Sequence, residues 1–163
     1  MMNKQHVWVL AVDPGLKRLG YAFYRADGKW GPMGVICATD FVDLTNQWNA
    51  VIRHVSRHRI RFIDVFVYEN LPVISKKVAL TLQTTVGVSI GCWATDGRLH
   101  RNTVVDSITP QEWASFAGVS KIRGKERKSA AFEFAKTLTP LVSEDGADAV
   151  IMAACVGKKL VIS

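Results

Sequence analysis

The first forty residues alternate between apolar runs and turn signals, and this pattern predicts three consecutive strands. The first run, 6–13, is rich in Val and ends at the turn signal Asp13-Pro14-Gly15. Residues 19–25 predict a second strand, and residues 33–38 predict a third, after the hairpin turn signal Asp27-Gly28. Because the connections are short, we expect these strands to form an antiparallel meander.

After the meander the apolar positions switch to helical spacing and then alternate with further strands. Over 41–58 they recur at intervals of three and four, after the candidate cap residues Thr39 and Asp40, which predicts an amphipathic helix. The pattern next predicts a strand over 61–69, a long helix over 76–95 and a fifth strand over 101–106.

The last third of the chain is predicted to be helical. One helix begins at Thr109-Pro110-Gln111-Glu112, where Thr109 is the cap and Pro110 takes the first helical position. A basic loop over 119–128, a helix over 126–139 and a final helix over 145–157, stopped by Gly157, complete the pattern. Strands that alternate with helices after a meander predict an α/β fold, with a mixed five-stranded sheet flanked by helices on both faces.

Length and composition favour one packed domain over 1–163. The chain is 48% apolar, and its three dispersed cysteines show no metal-binding spacing, which indicates free thiols in a reducing compartment. The short apolar start does not fit a signal peptide, and no run approaches the roughly 20 apolar residues of a membrane span. We therefore expect a cytoplasmic, nucleoid-associated protein without a membrane partner.

The charge balance indicates a polyanionic partner. The formal net charge is +7 and the pI is about 9.5, which favours nucleic acid, although a solvated basic surface remains the alternative. No phosphate-binding loop or dinucleotide fingerprint is present, so no small-molecule cofactor is expected. The cations that we assign to DNA binding are Lys17, Arg18, Lys76, Lys77, Lys121, Arg123, Lys125, Arg127 and Lys128.

Two acidic residues close predicted buried strands. Asp13 shares a strand face with apolar neighbours, and an unpaired buried carboxylate is costly, so it belongs at the strand end, where a cation can reach it. Glu69 likewise ends an apolar run, before Asn70-Leu71-Pro72 breaks the strand. Taken singly, Asp13 also fits an ordinary β-turn residue and Glu69 a solvated strand end.

A second pair of acids opens the final predicted helix. Asp145 and Asp148 stand three residues apart and would project from one side of a helix that starts near residue 145. The small apolar residues that follow would let this helix pack closely on the sheet. The alternative is that Asp145 caps the helix and that the charge of Asp148 interacts favourably with the positive, amino-terminal end of the helix dipole. Four carboxylates gathered at one site suit Mg²⁺, with Mn²⁺ as a substitute.

Taken together, these motifs resemble the RuvC-type Holliday junction resolvases of the RNase H-like (retroviral integrase) superfamily. The resemblance rests on Leu10-Ala11-Val12-Asp13-Pro14-Gly15 with Gly20-Tyr21-Ala22, on Tyr68-Glu69, on Thr109-Pro110 with the basic segment up to Lys128-Ser129, and on Asp145-Gly146-Ala147-Asp148-Ala149. Their order and spacing cover nearly the whole chain.

The resemblance implies a metal-dependent endonuclease that resolves four-way DNA junctions by paired symmetric nicks, with forked DNA as a further candidate substrate. Asp13, Glu69, Asp145 and Asp148 would bind two Mg²⁺ ions, and Lys128 would lie near the scissile phosphate. It also implies a homodimer, with the helix from about Lys77 to Ala94 as a dimer contact.

The sequence departs from this family in two places. No aromatic residue follows Glu69 within Asn70-Leu71-Pro72-Val73-Ile74, and a usual Lys is replaced around Trp113-Ala114-Ser115. The departures put the cleavage preference and junction opening in doubt, and they fit a phage or mobile-element version acting in the host cytoplasm.

Three other functions remain open at this stage. The opening from Asp13 to Gly20 also resembles YqgF-like nucleases of the same fold, which act on structured RNA. A non-catalytic protein that binds branched DNA would retain the fold without cleavage. An actin-type ATPase begins similarly but needs a longer chain than 163 residues.

Overall fold

The structure is a computed structural model that describes residues 6–15, 17–72 and 75–162. Its strands are β1 (Trp8–Pro14), β2 (Arg18–Arg25), β3 (Trp30–Cys37), β4 (Val65–Glu69) and β5 (Val104–Ile108). Its helices are α1 (Phe41–Ser56), α2 (Lys76–Thr95), α3 (Pro110–Phe116), α4 (Gly124–Leu138) and α5 (Ala147–Ile162), with a short 3-10 helix at Glu144–Gly146.

The five strands form one mixed sheet in the order β3-β2-β1-β4-β5. Strands β1, β2 and β3 pair antiparallel, whereas β1, β4 and β5 run parallel. This confirms the predicted antiparallel meander within a mixed five-stranded sheet. The carboxyl ends of β1 and β4 consequently meet at the same edge of the sheet, and both carry one of the predicted acids.

Both faces of the sheet are covered by helices, as the sequence predicts. Alternate residues of β1 point to opposite faces, so Val9 and Ala11 pack with residues of α3, α4 and α5, whereas Leu10 and Val12 pack with α1 and α2. The α1 face is filled by large side chains, including Trp48, which is fully buried. On the opposite face, the backbone of α5 packs close to the backbone of the sheet.

Helix α5 lies against the sheet because its residues are small. Ala149, Ala153 and Ala154 are fully buried, and the helix packs on β1 and β2. A Cβ at Gly20 of β2 would lie 3.2 Å from the backbone oxygen of Asp145, so the absence of a side chain there sets the depth of the approach. The predicted close packing of this helix brings its first turn to the edge that carries Asp13.

Several predicted boundaries were wrong by a few residues. Strand β5 lies at Val104–Ile108 rather than 101–106, and α4 begins at Gly124, inside the predicted basic loop. Helix α5 begins only at Ala147 and continues through Gly157, which was predicted to stop it. Gly157 stays in the helix because it packs on Tyr24, whose ring would lie 2.4 Å from a Cβ at that position.

Helix α2 corrects the expectation that no segment approaches a membrane span. It is the one helix among the described residues that is long and apolar enough to cross a membrane. Its most apolar 18 residues have a mean hydropathy of 1.2, and 22% of them are buried. A single such helix is weak evidence for a span, since core helices share this composition. One side of α2, with Val86, Ser89 and Trp93, packs into the core.

Candidate active site

Three of the predicted acids meet at the carboxyl edge of β1 and β4. Asp13 follows Val9 and Ala11 on the strand face covered by α5, and Glu69 follows Val65 and Val67 on the same face. The register pairs Val12 with Tyr68, so the next residues, Asp13 and Glu69, lie side by side. Asp148, in the first turn of α5, completes the group, and all three line one cavity.

The carboxyl of Asp13 is uncharged at neutral pH when the protein stands alone. Burial, the charges of Glu69 and Asp148, and a hydrogen bond with Glu69 together raise the pKa of Asp13 to about 8. The same contact with Asp13 opposes the rise in the pKa of Glu69.

Glu69 is the most buried of the acids, with 7% of the residue exposed. Burial raises the pKa of Glu69, and a hydrogen bond from Trp113 opposes this shift. The pKa of Asp148 is likewise raised by burial, and the charges of Arg127 and Lys128 oppose it. The net direction for Asp13, Glu69 and Asp148 is upward, so this pocket lacks the positive charge needed to ionise all three.

Asp145 has a different environment, although it lines the same cavity. It lies in the 3-10 helix before α5, not in α5 itself, and it caps no helix. Its carboxylate accepts a hydrogen bond from Nζ of Lys128 at 3.0 Å and pairs with Arg18. These two cations hold the pKa of Asp145 below its ordinary value, and the Asp145 contact raises the pKa of Lys128.

The four carboxylates are not arranged around a common point. Among the described residues, no three His, Cys, Asp or Glu side chains are placed so that they would hold a metal ion. The chemistry of Asp13, Glu69 and Asp148 nevertheless fits a hard divalent cation, because three crowded carboxylates with raised pKa values need positive charge. Asp145 fits as a ligand only after it leaves Arg18 and Lys128.

Trp113 is a site residue that the sequence did not reveal. Its indole Nε1 donates a 2.7 Å hydrogen bond to Oε1 of Glu69, and only 3% of the residue is exposed. The guanidinium of Arg127 lies over the indole ring, 5.0 Å from its centre, and donates to the Pro110 oxygen at 3.1 Å. A buried indole N–H needs a hydrogen-bond acceptor. The position of Trp113, just after the helix cap Thr109, was the one signal in the sequence that could have indicated such a contact.

The predicted DNA-binding cations divide into three groups by position. Arg18, Arg127 and Lys128 line the cavity that holds the four acids. Lys121, Arg123 and Lys125 are exposed just before or at the start of α4, whose first residue, Gly124, lines that cavity. Lys17, Lys76 and Lys77 are exposed but do not line the cavity.

Val73 and Ile74 belong to the segment after Glu69 that lacks an aromatic residue, and they lie outside the described residues.

Comparison with known proteins gives no relative by sequence. No protein-family model matches this chain, and no curated protein matches it. The comparison of folds gives a clear result instead, since solved structures of similar length align over nearly the whole chain.

Three such structures illustrate the likeness. RuvC of Thermus thermophilus aligns with a TM-score of 0.64 at 16% identity, over 91% of this chain and 92% of its own. The yeast mitochondrial Holliday junction resolvase Ydc2 gives 0.57 at 16% identity, over 94% and 78%. The fowlpox virus resolvase, solved with Holliday junction DNA, gives 0.56 at 16% identity, over 94% and 99%. The resemblance to RuvC-type resolvases is confirmed at the level of the fold.

Proposed function

We propose that this protein is a metal-dependent endonuclease that resolves four-way DNA junctions by paired symmetric nicks. The observation that carries the proposal is the group of Asp13, Glu69 and Asp148 at the edge of a RuvC-like sheet, beside Arg127 and Lys128. A crowded carboxylate cluster next to these two cations suits divalent ions and a phosphodiester together.

The side chains have separate proposed tasks. Asp13, Glu69 and Asp148 would hold two Mg²⁺ ions, and the charges of Glu69 and Asp148 both act on Asp13. When bound, such ions supply an activated water and stabilise the leaving oxygen of the phosphodiester, which gives a 5′-phosphate end. Trp113 holds the Glu69 carboxylate in one orientation through its hydrogen bond.

Asp145 and its two cations form the proposed link between substrate and site. A backbone phosphate that approaches Arg18 and Lys128 competes with Asp145 for both cations. Once released, Asp145 becomes available as the fourth carboxylate, so DNA binding completes the ligand set. Lys128 then lies at the scissile phosphate, the role that the resemblance assigns to it.

The proposed assembly is a homodimer, because paired nicks need two sites related by a two-fold axis. Exposed residues of α2, such as Leu80 with 64% of its surface accessible, are candidates for the contact. The proposed partner is branched DNA, as seen in the T. thermophilus RuvC and fowlpox resolvase complexes with junction DNA.

A second candidate function, non-catalytic binding of branched DNA, is favoured by one observation. Asp145 is already paired with Arg18 and Lys128, and the described acids do not converge on a metal position. If the phosphate cannot displace Asp145, the same fold would bind a junction without cutting it.

A gel assay with purified protein separates these functions. Labelled four-way junction, linear duplex, Y-fork and structured RNA are each incubated in Mg²⁺, Mn²⁺ or EDTA. We expect paired metal-dependent nicks in the junction. Binding without cutting in any metal would establish the non-catalytic function, and cleavage of RNA alone would support the YqgF-like activity.

A further inference from the structure

A dense group of arginines occupies the edge of the sheet opposite to the acids. We name it the arginine surface, and it consists of Arg53, Arg57, Arg59, Arg61 and Arg101. All five residues are exposed, and none forms an ion pair within the described part of the chain. We propose that this surface binds the phosphate backbone of a second DNA duplex segment, separately from the acidic site.

The topology places these residues far from the candidate active site. Strands β1, β4 and β5 are parallel, so the connections that precede β4 and β5 lie at their amino ends, opposite to Asp13 and Glu69. At about 3.3 Å per residue, the length of β4 separates the two edges by roughly 15 Å. Phosphates held at the acids therefore cannot also contact this surface.

Two loops are joined into one rigid support for the arginines. Arg98 donates from Nε to the Ile60 oxygen at 2.9 Å and from Nη2 to the Ser56 hydroxyl at 2.7 Å. The Thr103 hydroxyl donates to the Ile63 oxygen at 2.7 Å. Segment 57–64 is thus bound to segment 96–103, and the cations of both are held on one surface before any ligand arrives.

The acids nearby do not neutralise the arginine surface. In segments 53–64 and 96–103 the acidic residues are Asp64 and Asp96. Asp64 accepts from the backbone nitrogen of Trp8 at 2.8 Å, and Asp96 pairs with Arg98. The five exposed guanidiniums therefore present uncompensated charge, in a planar form that binds phosphate oxygens in pairs.

Helix stabilisation explains only part of this group. Arg53 lies in the last turn of α1, where a cation interacts favourably with the helix dipole. Arg59, Arg61 and Arg101 lie beyond the helices and gain nothing from it. Arg59 has φ +58°, which lies in the left-handed region that glycine and asparagine adopt more easily. Stability alone therefore does not explain an arginine at this position.

Duplex DNA is the partner that these features favour. Its phosphates are evenly spaced along a stiff rod, which suits several fixed arginines on a rigid support. The choice of DNA over another polyanion rests on the proposed function. The test is made in EDTA, so it does not depend on whether the acids bind metal or cleave.

The test compares two triple variants that lose equal charge. The first is Arg57→Ala, Arg59→Gly and Arg61→Ala, and the matched control is Lys29→Ala, Lys136→Ala and Lys158→Ala, three exposed lysines that are not part of the arginine surface. Binding of a fluorescein-labelled linear duplex of about 30 bp is followed by anisotropy between about 50 and 200 mM salt. A melting curve for each variant confirms that it folds.

The arginine variant is expected to bind duplex about tenfold more weakly at low salt, and its salt slope should fall by about 2 to 3. The control should change affinity by less than about twofold. In a Lys121→Ala, Lys125→Ala background, the arginine variant should reduce duplex affinity by the same factor as in the wild type, because the two surfaces are distant and their effects are independent. Equal losses in the two triple variants, or no loss in the arginine variant, would overturn the proposal.

Arg59→Gly alone gives a second test that misfolding cannot imitate. Glycine relieves the left-handed backbone, so the melting temperature should rise by about 2–4 °C, while the salt slope for duplex binding falls by about one. A more stable variant with unchanged duplex binding would contradict the proposal. Loss of binding to phosphatidylglycerol vesicles without loss of duplex binding would instead identify a lipid surface as the partner and overturn it.

Discussion

The indole Nε1 of Trp113 donates a 2.7 Å hydrogen bond to Oε1 of Glu69, the most buried acid of the site. The bond joins α3 to the end of β4, and the guanidinium of Arg127 of α4 lies over the face of the same ring. The Trp113 side chain therefore contacts both the Glu69 carboxylate and the Arg127 guanidinium.

Trp113→Phe removes this donor while it keeps most of the ring. The pKa of Glu69 should rise further, since burial then acts without the opposing hydrogen bond. If Glu69 binds Mg²⁺, the half-saturating Mg²⁺ concentration for junction cleavage should increase by roughly tenfold. The measurement is the cleavage rate against Mg²⁺ concentration at fixed pH.

Trp30→Phe is the matched control for that prediction. Trp30 also loses an indole hydrogen bond, 3.0 Å to the Leu138 oxygen, but it lies away from the acids. Both variants should lose about 1 kcal/mol of stability, yet only Trp113→Phe should change the Mg²⁺ dependence. Equal Mg²⁺ dependence in the two would show that Trp113 is merely structural.

The raised pKa of Asp13 predicts an unusual pH dependence of stability in EDTA. The pKa of Asp13 rises from 3.8 unfolded to about 8 folded, so its stabilising contribution is complete below pH 3.8 and is lost as the pH rises through about 8. Asp13→Asn removes this loss. By pH 8 the variant should therefore be more stable than the wild type, measured by urea unfolding.

Mg²⁺ should stabilise the wild type more than Asp13→Asn in that experiment. At about a hundred times the dissociation constant, a bound ion adds roughly 2.7 kcal/mol to the wild type. Asp13→Asn lacks the central carboxylate and should gain far less. A wild type that Mg²⁺ does not stabilise at any concentration would contradict a metal site at Asp13.

Arg18 is expected to restrain Asp145 in the absence of DNA. Arg18→Gln leaves Lys128 as the one remaining ion-pair partner of Asp145 among the described residues. The carboxylate should then reach a metal more easily, so the half-saturating Mg²⁺ concentration falls while junction affinity weakens. Lys17→Gln removes the same charge without an ion pair to Asp145, and it should weaken binding without changing the Mg²⁺ dependence.

The close contact at Gly20 should set the position of the final acids. A methyl group in Gly20→Ala would meet the Asp145 oxygen at 3.2 Å, so α5 must shift outward at its first turn. We expect a loss of about 1–2 kcal/mol and a lower cleavage rate for folded protein. Gly157→Ala, which meets Tyr24 at 2.4 Å at the far end of α5, should destabilise without that loss of rate.

The sequence was sufficient for the sheet and for the meeting of the acids. Asp13 and Glu69 close apolar runs, and parallel neighbours bring such strand ends together, so their proximity follows from pattern and topology. The small residues after Asp148 likewise indicated close packing of the last helix. These inferences depend on local periodicity, which a single sequence displays directly.

The remaining features of the site depend on contacts between distant segments. Trp113 lies 44 residues from Glu69, and Arg18 lies 127 residues from Asp145, and no periodicity links such pairs. The 3-10 turn that separates Asp145 from α5 packs beside Gly20 of β2, a contact that no local pattern in the sequence displays. The sequence therefore predicted four equivalent acids where the structure shows three clustered and one paired.

The most direct test of the account uses a labelled four-way junction with wild-type protein and Asp13→Asn, in Mg²⁺ and in EDTA. Cleavage and binding are measured on the same samples. The account predicts paired nicks only with the wild type in Mg²⁺, and junction binding by both proteins. Nicking by Asp13→Asn at the wild-type rate, or by the wild type in EDTA, would contradict a metal-dependent site built on Asp13.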